Sequence, residues 1–182
     1  KEIVALAREM GIQLSTSGRR KVRNVERNFK QGTGKPYFAY VFGAQVAEVA
    51  VNVRSGRVRV VGLWAAHDAG TILFPQRALG QFYGGITQGL GYALTEAFTY
   101  EKGVPQATQF TRYRIPRATD VPEIEATFVE TELREGPFGA KNLAEPVMAG
   151  TAPAIANAVF HATGVRTRSL PIPRKRLQSR AG

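Results

Sequence analysis

Apolar positions near the start of the chain, Ile3, Val4, Leu6 and Ala7, fall at helical spacing and Gly11 follows them. They predict a short helix with a glycine stop. From Tyr37 to Val53, and again from Arg57 to Ala66, the chain alternates and is rich in Val, Ala and aromatic residues. With Arg54-Ser55-Gly56 as the turn, these runs predict a β-hairpin. In its second strand, Val58, Val60 and Gly62 are expected on one face and Arg57, Arg59 and Val61 on the other. Between Pro75 and Phe98, the residues Ala78, Phe82, Ile86, Leu90 and Leu94 recur at a four-residue step. That stripe predicts a long helix with Pro75 in its first turn. Gln109 to Ile115 and Ile124 to Glu130 read as strands or extended pieces, interrupted by Pro116 and Pro122. Ala154 to Thr163 reads as a small-residue helix with Thr151 as its cap and Gly164 as its stop. Leu170-Pro171-Ile172-Pro173 reads as an extended exit into a basic tail. Helices and strands alternate irregularly, so the expected class is α+β, not a doubly wound sheet.

Composition narrows the picture. The chain has 182 residues, 43% of them apolar, enough for one compact domain with a real core. Its formal net charge is +11. The basic residues concentrate in Gly18-Arg19-Arg20-Lys21-Val22-Arg23 and Pro173-Arg174-Lys175-Arg176, without interleaved aromatics for base stacking. A solvated face or an acidic partner suits that pattern better than nucleic acid. There are no cysteines and two histidines, His67 and His161. Disulfides, iron–sulfur ligation and Cys-zinc sites in this chain are therefore excluded. No apolar run approaches the ~20 residues of a membrane helix. The chain opens with no secretory signal and without Met, so it reads as a fragment or processed product, expected in the cytoplasm.

Two stretches offer chemistry. Gly136-Pro137-Phe138-Gly139-Ala140-Lys141-Asn142-Leu143-Ala144-Glu145-Pro146 is expected as an irregular loop, because proline restricts the backbone and glycine loosens it. It holds one carboxylate, Glu145, among small residues, which suits either a base or a solvated turn residue. The long predicted helix contains Gly80, Gly84, Gly85, Gly89 and Gly91, each costing about 1 kcal/mol relative to Ala. Close approach of another backbone or of a bulky ligand explains such glycines, and so does helix–helix packing. Gln81 and Gln88 add amide groups along the same stretch.

Several ordered blocks resemble the C-terminal part of the molybdopterin-binding subunit of the xanthine dehydrogenase, aldehyde oxidase and carbon monoxide dehydrogenase family. They are Phe38-Ala39-Tyr40-Val41-Phe42-Gly43-Ala44-Gln45-Val46-Ala47-Glu48-Val49, then Ala66-His67-Asp68-Ala69-Gly70, then Gly80-Gln81-Phe82-Tyr83-Gly84-Gly85 with Gln88-Gly89-Leu90-Gly91-Tyr92-Ala93-Leu94. Tyr113-Arg114-Ile115-Pro116, Asp120-Val121-Pro122, the Glu145 loop, Ala152-Pro153-Ala154-Ile155-Ala156-Asn157-Ala158 and Leu170-Pro171-Ile172-Pro173 continue the series. The resemblance divides the chain into an N-terminal helix with a basic connecting arm, 1–35, and a C-terminal molybdopterin-binding region, 36–182.

The resemblance implies hydroxylation of an electron-poor carbon of an N-heterocycle or aldehyde, with oxygen drawn from water. It implies molybdopterin, or its cytosine dinucleotide form, with the molybdenum held by the pterin dithiolene and by no protein ligand. Glu145 is the implied general base and Gln81 a second catalytic residue whose amide reaches the cofactor. Gly80, Gln81, Gly84, Gly85, Lys141, Asn142, Leu143 and Ala144 are the implied cofactor-binding residues. The remainder of the subunit, and 2Fe-2S and FAD modules on partner chains or domains, complete the implied enzyme; the chain alone is expected to be inactive.

Three positions depart from the family pattern. Phe74 stands where Asn is usual before the proline, Tyr83 stands where Glu is usual, and Lys141-Asn142-Leu143-Ala144-Glu145 replaces the common Lys-Gly-x-Gly-Glu. These departures favour the alternative of a non-catalytic subunit that keeps the fold. A basic nucleic-acid-binding module rests on charge alone.

Overall fold

The computed structural model describes residues 1–19, 27–34, 37 and 39–178. The chain divides into two compact units, Lys1–Phe38 and Ala39–Gly182. In the first, helix α1 (Glu2–Glu9) ends at Gly11, whose φ of 65° is cheap for glycine alone. Strands β1 (Arg27–Asn28) and β2 (Thr33–Gly34) pair as a small hairpin, its turn tied by the Asn28 side chain to the N–H groups of Lys30 and Gln31. Most of the basic run at 18–23 lies outside the described residues.

The second unit is built on a three-stranded sheet. β3 (Gly43–Asn52) and β4 (Arg57–Asp68) form an antiparallel hairpin, closed by Gly56 at φ 66° and by Asn52 Oδ1 accepting from the N–H groups of Arg54 and Ser55. Helix α2 (Pro75–Leu94) follows. A two-residue pair, β5 (Tyr100–Glu101) with β6 (Val104–Pro105), precedes β7 (Glu123–Val129), which lies parallel to β4. Sheet order is β3-β4-β7. Helix α3 (Ala144–Thr163) packs on α2 and β3, and α4 (Arg174–Leu177) ends the described chain. One helix–sheet core results, centred on Leu63, Phe82, Ile86, Val147, Ile155 and Val159, all fully buried. Fully burying each such side chain contributes roughly 1.5–3 kcal/mol.

Three local readings need correction. The hairpin register shifts between Glu48 and Val49, so Val61 is the extra residue of a bulge in β4. The inward positions therefore change from Val58 and Val60 to Leu63, Ala65 and His67. Gly62 leaves the Val58–Val60 face and instead lies beneath the ring of Trp64, whose carbon a Cβ on Gly62 would meet at 2.5 Å. Residues 109–113 form turns, not a strand, with the N–H groups of Arg112 and Tyr113 donating to the Gln109 carbonyl. Finally, α3 begins at Ala144, ten residues before the expected Ala154, and Thr151 is buried inside it rather than capping it. Pro153 fits mid-helix because it is exposed and the carbonyl it leaves free, on exposed Ala149, can take a bond from water.

Candidate functional site

β4 delivers Asp68 and Gly70 to the rim of the sheet. Gly70 turns the chain at φ 63°, and its N–H donates to Asp68 Oδ1 at 2.9 Å. Asp68 Oδ2 accepts from Lys141 Nζ at 2.5 Å, and Lys141 Nζ also donates to Thr131 Oγ1 at 2.7 Å. The ion pair is enclosed, with side-chain exposures of 9% for Lys141 and 3% for Asp68. Burial alone raises the Asp68 pKa; the hydrogen bonds from Lys141 and the Gly70 N–H outweigh it and hold the carboxyl below its ordinary 3.8.

Backbone bonds stitch the 131–143 segment to the same turn. The Lys141 N–H donates to the Ala69 carbonyl and the Thr71 and Leu133 N–H groups donate to the Gly139 carbonyl, at 2.9, 3.0 and 3.1 Å. Gly70 and Gly139 both have positive φ and approach so closely that a side chain on Gly70 would strike the Gly139 carbonyl.

The Glu145 segment is not wholly irregular. Pro137–Gly139 form a 3-10 turn, and Ala144, Glu145 and Pro146 are the first residues of α3. Proline suits that first turn because its missing N–H would have no helical acceptor. Glu145 is exposed, and its Oε2 accepts from Asn142 Nδ2 at 3.2 Å; Asn142 Oδ1 accepts from the Leu143 N–H at 3.0 Å. A carboxylate in the first turn also faces the positive end of the helix dipole.

The glycines of α2 separate into two groups. A Cβ on Gly85 would lie 2.7 Å from the Ala144 carbonyl oxygen, and one on Gly89 would lie 2.5 Å from Thr151 Cβ and 3.0 Å from the Met148 carbonyl. These two let α2 and α3 touch backbone to backbone. A Cβ on Gly91 would meet Glu96 and Pro116. Gly80 and Gly84 are different: both are exposed, and a Cβ on either would meet nothing within 4 Å among the described residues. Gln81 and Gln88 are exposed as well.

Gln81, Lys141 and Leu143 come together along one open groove of about 220 Å3, which Ile72, Phe74 and Arg77 also line. Gly80, Gly84, Asn142, Ala144 and Glu145 do not line it. The larger cavity, about 350 Å3, lies toward the other end of α2, between Leu90, Leu94 and Ile172 and beneath Arg57, Arg59, Arg114 and Arg174; none of the expected site residues lines it.

One polar network escaped the sequence reading. Gln45 Nε2 donates to the Val147 carbonyl at 2.6 Å and lies 3.0 Å from His67 Nε2, while Thr151 Oγ1 donates to Gln45 Oε1 at 2.8 Å. His67 is 4% exposed, stacks edge-on against Phe82, and leaves Nδ1 without a partner. Its pKa lies below 6.5 because burial disfavours the charged ring. The available signal was Gln45 itself, a polar residue in register with inward-facing Ala47, Val49 and Val51. Among the described residues no group of three or more His, Cys, Asp or Glu side chains is placed to hold a metal ion.

The chain matches the family model described as molybdopterin cofactor-binding domain over residues 1–122, which ends before the Glu145 segment. It is 39% identical over 142 residues to the probable hypoxanthine oxidase XdhD of Escherichia coli K12, covering 75% of this chain and 15% of that protein. To the aldehyde oxidoreductase of Megalodesulfovibrio gigas it is 34% identical over 150 residues, covering 81% and 16%. Among solved structures, the aldehyde oxidoreductase of Desulfovibrio desulfuricans superposes with a TM-score of 0.75 at 34% identity over 84% of this chain and 17% of that one. The quinoline 2-oxidoreductase of Pseudomonas putida 86 gives 0.66 at 31% identity over 71% and 17%. The chain thus spans about a sixth of the length of these relatives.

Proposed function

Since this chain belongs to the molybdopterin cofactor-binding domain family of xanthine dehydrogenase- and aldehyde oxidoreductase-like proteins, we propose that it forms one wall of a molybdenum hydroxylase active site and supplies its general base, Glu145. The observation that carries this reading is the pair of unpacked glycines. Gly80 and Gly84 together cost about 2 kcal/mol of helix stability relative to Ala. Unlike Gly85 and Gly89, they gain no close contact among the described residues in return. A partner from outside the chain gives them a purpose, and a bulky cofactor on the Gln81 face of α2 is that partner.

The residues present suit such a group. The exposed glycine backbone admits a flat ring system, and the Gln81 amide offers both a donor and an acceptor to it. Asn142, Leu143 and Ala144 lie where the 139–146 segment runs into α3, with Asn142 exposed. Gly85 faces α3 and Lys141 is paired with Asp68, so these two support the wall from behind.

When bound, the molybdenum cofactor supplies a two-electron oxidation in which oxygen from water reaches the substrate carbon. Glu145 takes up the proton released from that water at a carboxylate oxygen, and its exposure in this chain leaves the oxygen reachable. Asn142 orients the carboxylate through Oε2 and leaves Oε1 to accept the proton. The substrate is an N-heterocycle of the xanthine kind or an aldehyde, following the range of the relatives. The remainder of the subunit, with 2Fe-2S and FAD groups on other domains or chains, completes the enzyme and carries electrons away.

A second reading, a structural piece without chemistry, draws on the same Asn142 contact, because that amide competes for a lone pair of the base. Glu145→Gln in the whole assembled enzyme separates the two. A base predicts a fall in kcat of about 10²–10⁴-fold with molybdenum content retained. Turnover unchanged from the parent excludes it.

A further inference from the structure

We infer that Asp68 and Lys141 are a positioning pair: their buried contact anchors the 139–145 segment, and thereby Glu145, to the end of β4. The inference rests on the role proposed above for Glu145. It also gives Lys141 a different task from direct contact with the cofactor.

The geometry is specific. Two of the three ammonium donors of Lys141 are committed, one to Asp68 Oδ2 and one to Thr131 Oγ1. Both Asp68 oxygens are occupied as well, Oδ1 by the Gly70 N–H and Oδ2 by Lys141. The enclosed pair therefore joins three points that are distant in sequence: the end of β4, Thr131 beyond β7, and the residue four positions before Glu145. Around it, the bonds from the Lys141 N–H to the Ala69 carbonyl and from the Thr71 N–H to the Gly139 carbonyl fix the backbone to the same turn. From Lys141 the order passes forward through Asn142, whose side chain holds both the Leu143 N–H and Glu145 Oε2.

An exposed ion pair would add little, but this one is shielded from water, and removing one partner strands a buried charge. Beside those backbone bonds, the Lys141 side chain joins the segment to both Asp68 and Thr131. Pro137 and Gly139 only permit the turn, and Glu145 itself is exposed. A displacement of about 1 Å at a catalytic group costs on the order of 10²-fold in rate.

The test uses the whole assembled enzyme carrying Lys141→Met, Lys141→Arg or Asp68→Asn, with Lys141→Met also placed in a Glu145→Gln background. Molybdenum content, kcat, KM and amide hydrogen exchange across residues 139–145 are measured for each. Positioning predicts that Lys141→Met and Asp68→Asn lower kcat by about tenfold to 10²-fold while KM stays within about twofold. Molybdenum is retained, exchange at 139–145 quickens, and Lys141→Arg recovers most of both effects. In the Glu145→Gln background Lys141→Met then costs almost nothing more, because the two act in series.

An equal loss in both backgrounds, or loss of molybdenum with unchanged exchange, overturns the proposal and makes Lys141 a cofactor or substrate contact. Should Lys141→Met fail to assemble, the near-isosteric Asp68→Asn carries the same comparison. If Glu145→Gln turns over at the parent rate, the base reading fails on its own. The anchoring is then judged by exchange alone, and unchanged exchange at 139–145 in Lys141→Met and Asp68→Asn overturns it.

Discussion

His67 sits neutral at the centre of the contact between β3, β4 and α3, and its environment sets a pH limit on the fold. Its folded pKa lies below 6.5 through burial, so the unfolded chain binds the more protons in the interval between the two values. The stability it brings is complete above pH 6.5 and is lost as pH falls through the lowered folded value. Asp68 acts in a lower window, because its pKa is depressed from 3.8 and its contribution is lost only in stronger acid. Hydrogen-exchange protection of the Gln45 and Val147 region in the assembled subunit is therefore expected to fall as the pH drops below 6.5. His67→Gln is expected to flatten that fall; an unaltered slope in the variant would place the titrating group elsewhere. At this scale the sequence offered Glu145 as a carboxylate isolated among small residues. It could not show that Asp68 would claim Lys141, since that is a contact of tertiary structure, or that Asn142 would hold the carboxylate, since that local contact depends on where α3 begins.

The legibility of elements followed their periodicity. The stripe Phe82, Ile86, Leu90 is plain in the sequence and forms the buried face of α2. The bulge at Val61 is hidden, because Val60-Val61-Gly62-Leu63 is apolar on either register and only pairing with β3 fixes which side chains turn inward. The early start of α3 is hidden for another reason. Pro146 and Pro153 both look like breakers, yet one lies in the first turn and the other on the exposed face. The glycines of α2 lead to paired predictions. Gly89→Ala sets a Cβ 2.5 Å from Thr151 Cβ and should destabilise the fold by about 1–3 kcal/mol, read as a lower Tm. Gly80→Ala and Gly84→Ala meet nothing and should raise helix stability by up to about 1 kcal/mol. If these two line a cofactor, they lower molybdenum retention in the same assembled protein; stability and retention rising together would argue against that use.

At the scale of the second unit, the groove beside Gln81 is open and small. The groove beside Gln81 measures about 220 Å3, below the roughly 300 Å3 at which ligand sites begin. The outer face of the sheet leaves Val46 63%, Trp64 38% and Val129 48% exposed, apolar surface that a larger assembly would cover. With about a sixth of the length of its relatives, the chain alone is expected to retain no molybdenum and to hydroxylate nothing, by metal analysis and turnover assay. The α+β class was readable from irregular alternation, whereas the division at Phe38 followed no clear composition boundary. The most direct test of the account is the position of Glu145 in an experimental structure of the complete enzyme with cofactor bound. The account predicts its carboxylate within about 3 Å of the bound cofactor or substrate, or joined to it through one water. A carboxylate in bulk solvent, a domain's width of tens of ångströms from the pterin, roughly, would contradict it.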